Sequence, residues 1–559
     1  MKEKLDKLLK ETIHHCFHEG LLKETDLPDY VIEVPNNKEH GHFATNLALT
    51  LASSQKRAPR EIAGVITGNF QDKESFLSKI EIAGPGFINF TINPDEWFGL
   101  LKNMLDLDSD YGRGESENGE KVLVEFVSAN PTGPLHLGHG RGAALGDTIC
   151  RILDFRGNEV VREFYINDAG VQIRLLGESI YARFRQFENP GHPFPENGYH
   201  GDYINDLAST ISENHDLSQM EPEAATELCA GLGKEMMLKE IKNDLALFRV
   251  DFDVWYNESD LFAGGLVAKS LDEMKEKGEL YESEGALWIK TSGYGDDKDR
   301  VIKKKDGQYT YFASDISYHL EKHKRGFTKA VNIWGADHHG YINRVKSALK
   351  ASGIDENWLS VLLIQLVKLW KEGREIRMSK RAGQYVTMRD LMDEVDVDAA
   401  RFVFLTKTHD SPLDFDIDMV RKNDSDNPVY YVQYAHARIC SIFRKAEDEG
   451  IDAGLDSMGE ELKLLTLDEE IGLIRLLNEF PDLLENICRT FEAHKLTYYL
   501  TEVAAQFHKY FNMGIKKAEN RIISDDRRVT RARLALAAGI RLVIRNGLSL
   551  LGVGSPEKM

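Results

Sequence analysis

Val122-Leu123-Val124-Glu125-Phe126-Val127 is an apolar run broken by one acid, and it reads as a strand. A loop over 128–135 follows, then a helical pattern from about 140 to 155. Arg156-Gly157-Asn158 ends that pattern, and 159–165 reads as the next strand. Strand, helix, strand is the opening unit of a parallel sheet with right-handed crossovers. The expected fold is therefore multidomain α/β, built around a parallel-sheet, Rossmann-like nucleotide-binding domain.

Strand and helix patterns resume at 309–312, 330–334 and 362–368, with a polar, helix-rich insertion at about 170–300 between. Upstream, the first ~20 residues read as a helix, with Leu5, Leu8, Leu9 and Ile13 near helical spacing. Residues 28–94 mix short strands and helices, and the polar, glycine-rich 106–118 marks a boundary. From 429 the pattern is helical, over 429–446, 468–490, 498–511 and 527–551. The expected organisation is an α+β N-terminal domain at 1–115, a catalytic domain with its helical insertion at 116–395, a connector at 396–428 and an all-α bundle at 429–559.

Of 559 residues, 42% are hydrophobic and 29% charged, which excludes a disordered chain. No run of 18 apolar residues occurs, so no membrane span is expected. The N-terminus lacks the apolar stretch of a secretory signal. Cys16, Cys150, Cys229, Cys440 and Cys488 are scattered and form no CxxC pair. They support neither a disulfide frame nor structural zinc, and a cytoplasmic location is expected. Asp337-His338-His339 lacks further ligands at metal spacing, and His14 and His18 read as a surface face, so no protein-ligated metal is expected.

The net charge of −21 argues against a general nucleic-acid binder. Between 505 and 545, however, ten Lys and Arg, among them Arg527, Arg528 and Arg531, stand against three acids. A basic face on an acidic body suits one anionic partner bound selectively; a solvated helix face is the blander alternative.

Two segments carry the chemistry. The loop Asn130-Pro131-Thr132-Gly133-Pro134-Leu135-His136-Leu137-Gly138-His139-Gly140 lies between a strand end and a helix start. Helix N-termini offer unpaired N–H groups and partial positive charge to phosphate. Gly138 and Gly140 allow close approach, and His136 and His139, three apart, can face one anion and stabilise charge on a pentavalent phosphorus. A rival reading is the dinucleotide fingerprint Gly138-x-Gly140-x-x-Ala143 with Glu159 downstream. The second segment is Gly373-Arg374-Glu375-Ile376-Arg377-Met378-Ser379-Lys380-Arg381-Ala382-Gly383. Four cations between glycines form a positive loop able to neutralise a leaving pyrophosphate.

Together these segments resemble the two signatures of the class I aminoacyl-tRNA synthetases. The flanking Glu125-Phe126-Val127-Ser128-Ala129-Asn130, Asp398-Ala399-Ala400-Arg401-Phe402, Asp410-Ser411-Pro412-Leu413-Asp414-Phe415-Asp416 and Tyr431-Val432-Gln433-Tyr434-Ala435-His436-Ala437-Arg438 resemble its arginyl branch. His40-Gly41-His42-Phe43-Ala44-Thr45-Asn46 and Gly84-Pro85-Gly86-Phe87-Ile88-Asn89-Phe90 resemble that branch's extra N-terminal domain. The resemblance, which is of bacterial style, covers essentially the whole chain. One departure is Arg377 where the family's second signature has lysine; Lys380 is kept, and no lysine lies in 131–135 to replace it.

The resemblance implies two-step attachment of arginine to its cognate tRNA, through an adenylate made from ATP with Mg2+ and without zinc. His136, His139, Lys380 and Arg377 are the implied catalytic groups, and Gly138, Gly140, Met378 and Ser379 the implied ATP contacts. A planar guanidinium is best held by carboxylates, so it is expected at Asp315 and Glu258 with Tyr311, with the amino-acid end at Glu125 and Asn130 and His338 lining the same cleft. The tRNA is expected at Asn89, Tyr434, Arg527, Arg528 and Arg531. The resemblance further implies activation that needs bound tRNA, and a monomer. Other readings are a nucleotidyltransferase of the same superfamily acting without tRNA, a non-catalytic tRNA-binding relative, and a nicotinamide-linked oxidoreductase.

Overall fold

The structure is a computed structural model that describes residues 1–35, 37–114, 120–168, 170–376, 386–454 and 459–559. Near the N-terminus, β1 (Ile32–Glu33), β2 (Phe43–Thr45), β3 (Leu77–Ala83) and β4 (Phe87–Ile92) form an antiparallel sheet in the order β1-β2-β4-β3. The helices Lys2–His18, Leu47–Gln55, Pro59–Gly68 and Pro94–Leu107 belong to the same region. The histidine-rich motif there is architectural. Gly41 has φ +79°, and a Cβ on it would meet the Phe90 carbonyl at 2.7 Å. His42 Nδ1 accepts the Ile92 N–H at 2.9 Å, and burial pushes this imidazole down to about 4, so it stays neutral.

The central sheet is parallel. β5 (Lys121–Glu125) leads through the helix Leu137–Phe155 to β6 (Glu159–Ile166), and the insertion returns at β7 (Val254–Asn257). β8 (Leu280–Ser283), β9 (Ala286–Ile289) and β10 (Arg300–Lys303) make a separate antiparallel sheet. The helix Tyr311–Lys324 then feeds β11 (Lys329–Gly335), and β12 (Leu359–Ile364) follows. The order is β12-β11-β5-β6-β7, every pair parallel. The chain moves from β5 outward to β6 and β7, then crosses to β11 on the other side. β5 and β11 thus flank a topological switch point, and ligands bind beyond the carboxyl ends of strands there. Val122, Leu123 and Val124 are fully buried, as both faces of a central parallel strand must be. A third small sheet pairs β13 (Val367–Lys371) with β14 (Arg374–Ile376) as a hairpin and with β15 (Leu413–Asp416) in parallel.

The C-terminal helices are Pro428–Asp448, Asp468–Leu477, Phe480–Thr490, His494–Lys516 and Arg527–Leu550. The expected helix at 468–490 is two helices, because Pro481 lacks an N–H and sits in the first turn of the second. By internal contacts the chain forms two compact units: 1–108 with 443–478 and 510–539, and 109–442 with 479–509 and 540–559. The C-terminal helices contribute residues to both. Among the described residues, no helix is long and apolar enough to cross a membrane.

Candidate active site

β5 ends earlier than its composition suggests. Val127 has φ +67° and Ser128 φ +40°, left-handed values that a β-branched residue adopts only at a cost. This sharp turn points Ser128 back: its Oγ donates to Glu125 Oε1 at 3.1 Å and accepts the Tyr165 N–H at 3.1 Å. The helix also starts earlier than expected, at Leu137, because a histidine caps it. His136 Nδ1 accepts the N–H groups of Gly138 at 3.1 Å and His139 at 3.4 Å, and His139 Nδ1 accepts the His136 N–H at 3.3 Å. The two rings stack with centroids 3.6 Å apart. With both Nδ1 atoms accepting, each neutral ring carries its proton on Nε2, a donor at the positive end of a helix.

The glycines behave differently from each other. Gly138 is partly exposed, as a ligand contact requires. Gly140 is buried, and a Cβ there would meet the Phe404 ring at 3.3 Å. The dinucleotide reading fails on Glu159. That residue begins β6 and pairs with Lys121 at 3.2 Å, whereas a ribose-binding acid belongs at the strand's carboxyl end.

Arg377, Met378, Ser379 and Lys380 lie outside the described residues. The chain that follows them is placed. Thr387 forms an antiparallel bridge with His136, and the Met388 N–H donates to the Leu135 carbonyl at 2.7 Å. Thr387 then caps the helix Met388–Glu394. The exit from the second signature segment is thereby tied to the first.

Glu125, Glu258 and Asp315 gather around Tyr165 as an acidic hollow. Asp315 keeps some solvent contact, yet protein atoms crowd its carboxyl, and this desolvation pushes it up to about 6. The Tyr341 hydroxyl donates to it and opposes that rise, while the charges of Glu258 and Glu125 add to it. Glu258 is buried and raised by desolvation, with a Tyr165 hydroxyl bond opposing. Glu163 is held by Arg325 at 2.7 Å and by the Tyr318 hydroxyl at 2.6 Å, and Glu125 by Lys322. Of these four carboxylates, Glu258 and Asp315 have no cation within ion-pair distance among the described residues. The hollow keeps two uncompensated negative charges, a fit for a cationic side chain.

A cavity of about 610 Å³ opens at the signature loop, lined by Asn130, His136, His139 and Gln172 and, from the insertion, Tyr199 and His200. Asn130 Nδ2 donates to Gln172 at 2.6 Å, and the Tyr203 hydroxyl to the Thr132 carbonyl at 2.8 Å. No set of three His, Cys, Asp or Glu side chains converges as a metal cage among the described residues.

The remaining expected residues are less uniform. Tyr311 is 72% exposed, and His338 is exposed with its ring 6.0 Å from Trp334. Asn89 is buried on β4, between β2 and β3. Tyr434 is half-buried, and its hydroxyl accepts from Arg438 at 3.0 Å. Arg527 and Arg528 are exposed, whereas Arg531 pairs internally with Glu461 at 3.0 Å. Sequence reading missed Tyr341, Tyr165, His319 and Lys322. The last two lie at i+4 and i+7 from Asp315, on one helix face.

Comparison with known proteins agrees with this geometry. Three family models match: "Arginyl tRNA synthetase N terminal domain" over 3–92, "tRNA synthetases class I (R), catalytic domain" over 101–194 and 216–416, and "DALR anticodon binding domain" over 432–559. The arginine–tRNA ligase of Desulfosudis oleivorans is 46% identical over 562 residues, covering 100% of both chains. That of Bacillus licheniformis is 43% identical, covering 100% of this chain and 99% of its own. In fold, the chain is similar to the arginyl-tRNA synthetase of Thermus thermophilus, with a TM-score of 0.77 at 21% identity and all of both chains covered. A methionyl-tRNA synthetase of Mycobacterium tuberculosis gives a TM-score of 0.53 at 13% identity, over 77% of this chain and 92% of that one. The outer cavity wall at Tyr199 and His200 falls between the two matched stretches of the catalytic model. Matched from end to end, by models and by relatives at this identity, the chain belongs to the arginyl-tRNA synthetase family of class I enzymes.

Proposed function

We propose that this chain attaches arginine to its cognate tRNA in two steps, and that the junction of the two signature segments is where ATP reacts. A carboxylate oxygen of arginine attacks the α-phosphorus, the bond to pyrophosphate breaks, and arginyl adenylate remains. A terminal ribose hydroxyl of the tRNA then attacks the adenylate carbonyl and AMP leaves. His136 and His139 donate through Nε2 to the reacting phosphate, with Lys380 and Arg377 neutralising the charge that develops toward pyrophosphate. Met378, Ser379 and the Gly138 N–H complete the nucleotide contacts. Positioning and charge carry most of the acceleration. Magnesium would enter with ATP and would supply further neutralisation of the triphosphate charge.

The hollow takes the guanidinium on Asp315 and Glu258, with Tyr311 and His338 at its exposed rim, and the amino-acid end on Glu125 and Asn130. A neutral side chain of the same length would leave two acids unpaired, which costs several kcal/mol. For tRNA, Arg527 and Arg528 offer solvent-facing charge and Tyr434 a partly open aromatic ring. The assigned domains are 1–115, 116–395, 396–428 and 429–559. The observation that carries the reading is the return of the chain after Lys380 onto His136, by the Thr387 bridge and the Met388–Leu135 bond. Arginine-dependent pyrophosphate exchange, run with and without tRNA, tests it. Lys380→Ala is expected to slow exchange by two or more orders of magnitude, about 3 kcal/mol in the transition state, with tRNA affinity unchanged. A wild-type rate would remove Lys380 from the site, and exchange indifferent to tRNA, with no charging, would favour a small-molecule nucleotidyltransferase.

A further inference from the structure

The helix Tyr311–Lys324 carries Asp315, His319 and Lys322 at i, i+4 and i+7, and so on one face. Lys322 has no solvent exposure at all. Its ammonium donates to Glu125 Oε2 on β5 and to Asn332 Oδ1 on β11, the latter at 3.1 Å, and stands 4.2 Å from the Tyr318 ring centroid. Asn332 Nδ2 in turn donates to His319 Nε2 at 2.9 Å, and His319 Nδ1 meets the Asp315 carbonyl at 2.7 Å. Burial and the Lys322 charge press this imidazole down to about 3, so it is neutral, with one nitrogen accepting and the other donating. An unbroken chain of bonds thus runs beneath the hollow from Asp315 to Glu125. A buried ammonium is tolerated only when paired and hydrogen-bonded, and a fold retains such a group at a cost that an apolar residue would not carry.

Resting on the reading that Glu125 meets the amino-acid end of arginine, we propose that Lys322 is a positioning residue for that substrate: it anchors the Glu125 carboxylate and supplies its counter-charge. With Glu125 paired to Lys322, Glu258 and Asp315 are the acids of this cluster left without an ion-pair partner among the described residues, and they face the guanidinium. Without Lys322 the Glu125 carboxylate would be a lone buried charge, driven to move or to take up a proton.

The test measures arginine and ATP Michaelis constants for Lys322→Met, Glu125→Gln and the double variant. Lys322→Met should raise the arginine constant about tenfold, the scale of one charged hydrogen bond, and leave the ATP constant unchanged. A purely structural defect would disturb both. Acting only through Glu125, Lys322→Met should add nothing to Glu125→Gln, so the double variant should match Glu125→Gln alone. If the lone carboxylate prevents Lys322→Met from folding, that comparison still decides, because the double variant removes both charges. Multiplying effects in the double variant, or a normal arginine constant in Lys322→Met, would overturn the proposal while sparing Glu125. A silent Glu125→Gln would overturn the reading of Glu125 and the role of Lys322 with it.

Discussion

Asp315 shows how a single side chain is tuned. Its carboxyl, raised from 3.8 to about 6, binds a proton more tightly in the native protein than in the unfolded chain. Native stability therefore falls as pH rises from about 4 through 6, and above that range the penalty is fully present. The shift corresponds to at most about 3 kcal/mol, and to less because the residue keeps some solvent contact. Asp315→Asn should thus raise the melting temperature of the arginine-free protein at pH 7.5, and also raise the arginine Michaelis constant about a hundredfold or more. In the unaltered protein, arginine affinity should fall as pH drops below about 6, and that dependence should be absent from the variant. A variant that is less stable and binds arginine normally would contradict both the desolvation and the contact. At this scale the sequence was half legible. Asp315 and Glu258 could be named from the charge of the substrate that the resemblance implied. Tyr341 and Tyr165 could not, since they arrive from the segment after β11 and from β6, and only strand order brings them together. Lys322 was hidden for the opposite reason: in a chain with 70 Lys and Arg, one cation at helical spacing looks like any solvated one.

Among elements, the helix Leu137–Phe155 carries the His136 cap at its N-terminus, and its body packs on β5 and β6. Gly146 is a tight point of that packing: a Cβ there would lie 2.2 Å from Cγ of Phe126, the residue after β5. Alanine normally favours a helix interior by about 1 kcal/mol over glycine. Here overpacking should win, and Gly146→Ala should lower the urea midpoint by an amount equivalent to about 1–3 kcal/mol with an unchanged slope. A midpoint that rises would mean the ring has room to move. The strand–loop–helix order was readable from the apolar run and the glycines, but the helix start was not. A histidine is a rare cap, and only the geometry reveals that His136 Nδ1 closes the first turn. Asn89 was placed by resemblance, and no pattern in the sequence showed that it would be buried.

For the whole molecule, charge and chemistry are separated along the chain. A body of net −21 repels nucleic acid in general, so tRNA must be met at local basic surface. The run at 505–545 is not uniformly such a surface, since Arg533 is buried against Glu470 at 2.8 Å and Arg531 is paired internally. Converting exposed Arg527 and Arg528 to alanine should weaken tRNA binding and reduce the salt slope by up to about two, while Arg531→Ala should chiefly cost stability. An unchanged slope in the double variant would mean those two cations face water. The central claim is larger: two signature segments distant in sequence close on one ATP beside a hollow carrying two negative charges. Charging of total tRNA, offered each of the twenty amino acids in turn with ATP, tests it most directly. The account predicts that arginine alone is transferred. Transfer of lysine or of any neutral amino acid at a comparable rate, or of none, would contradict it.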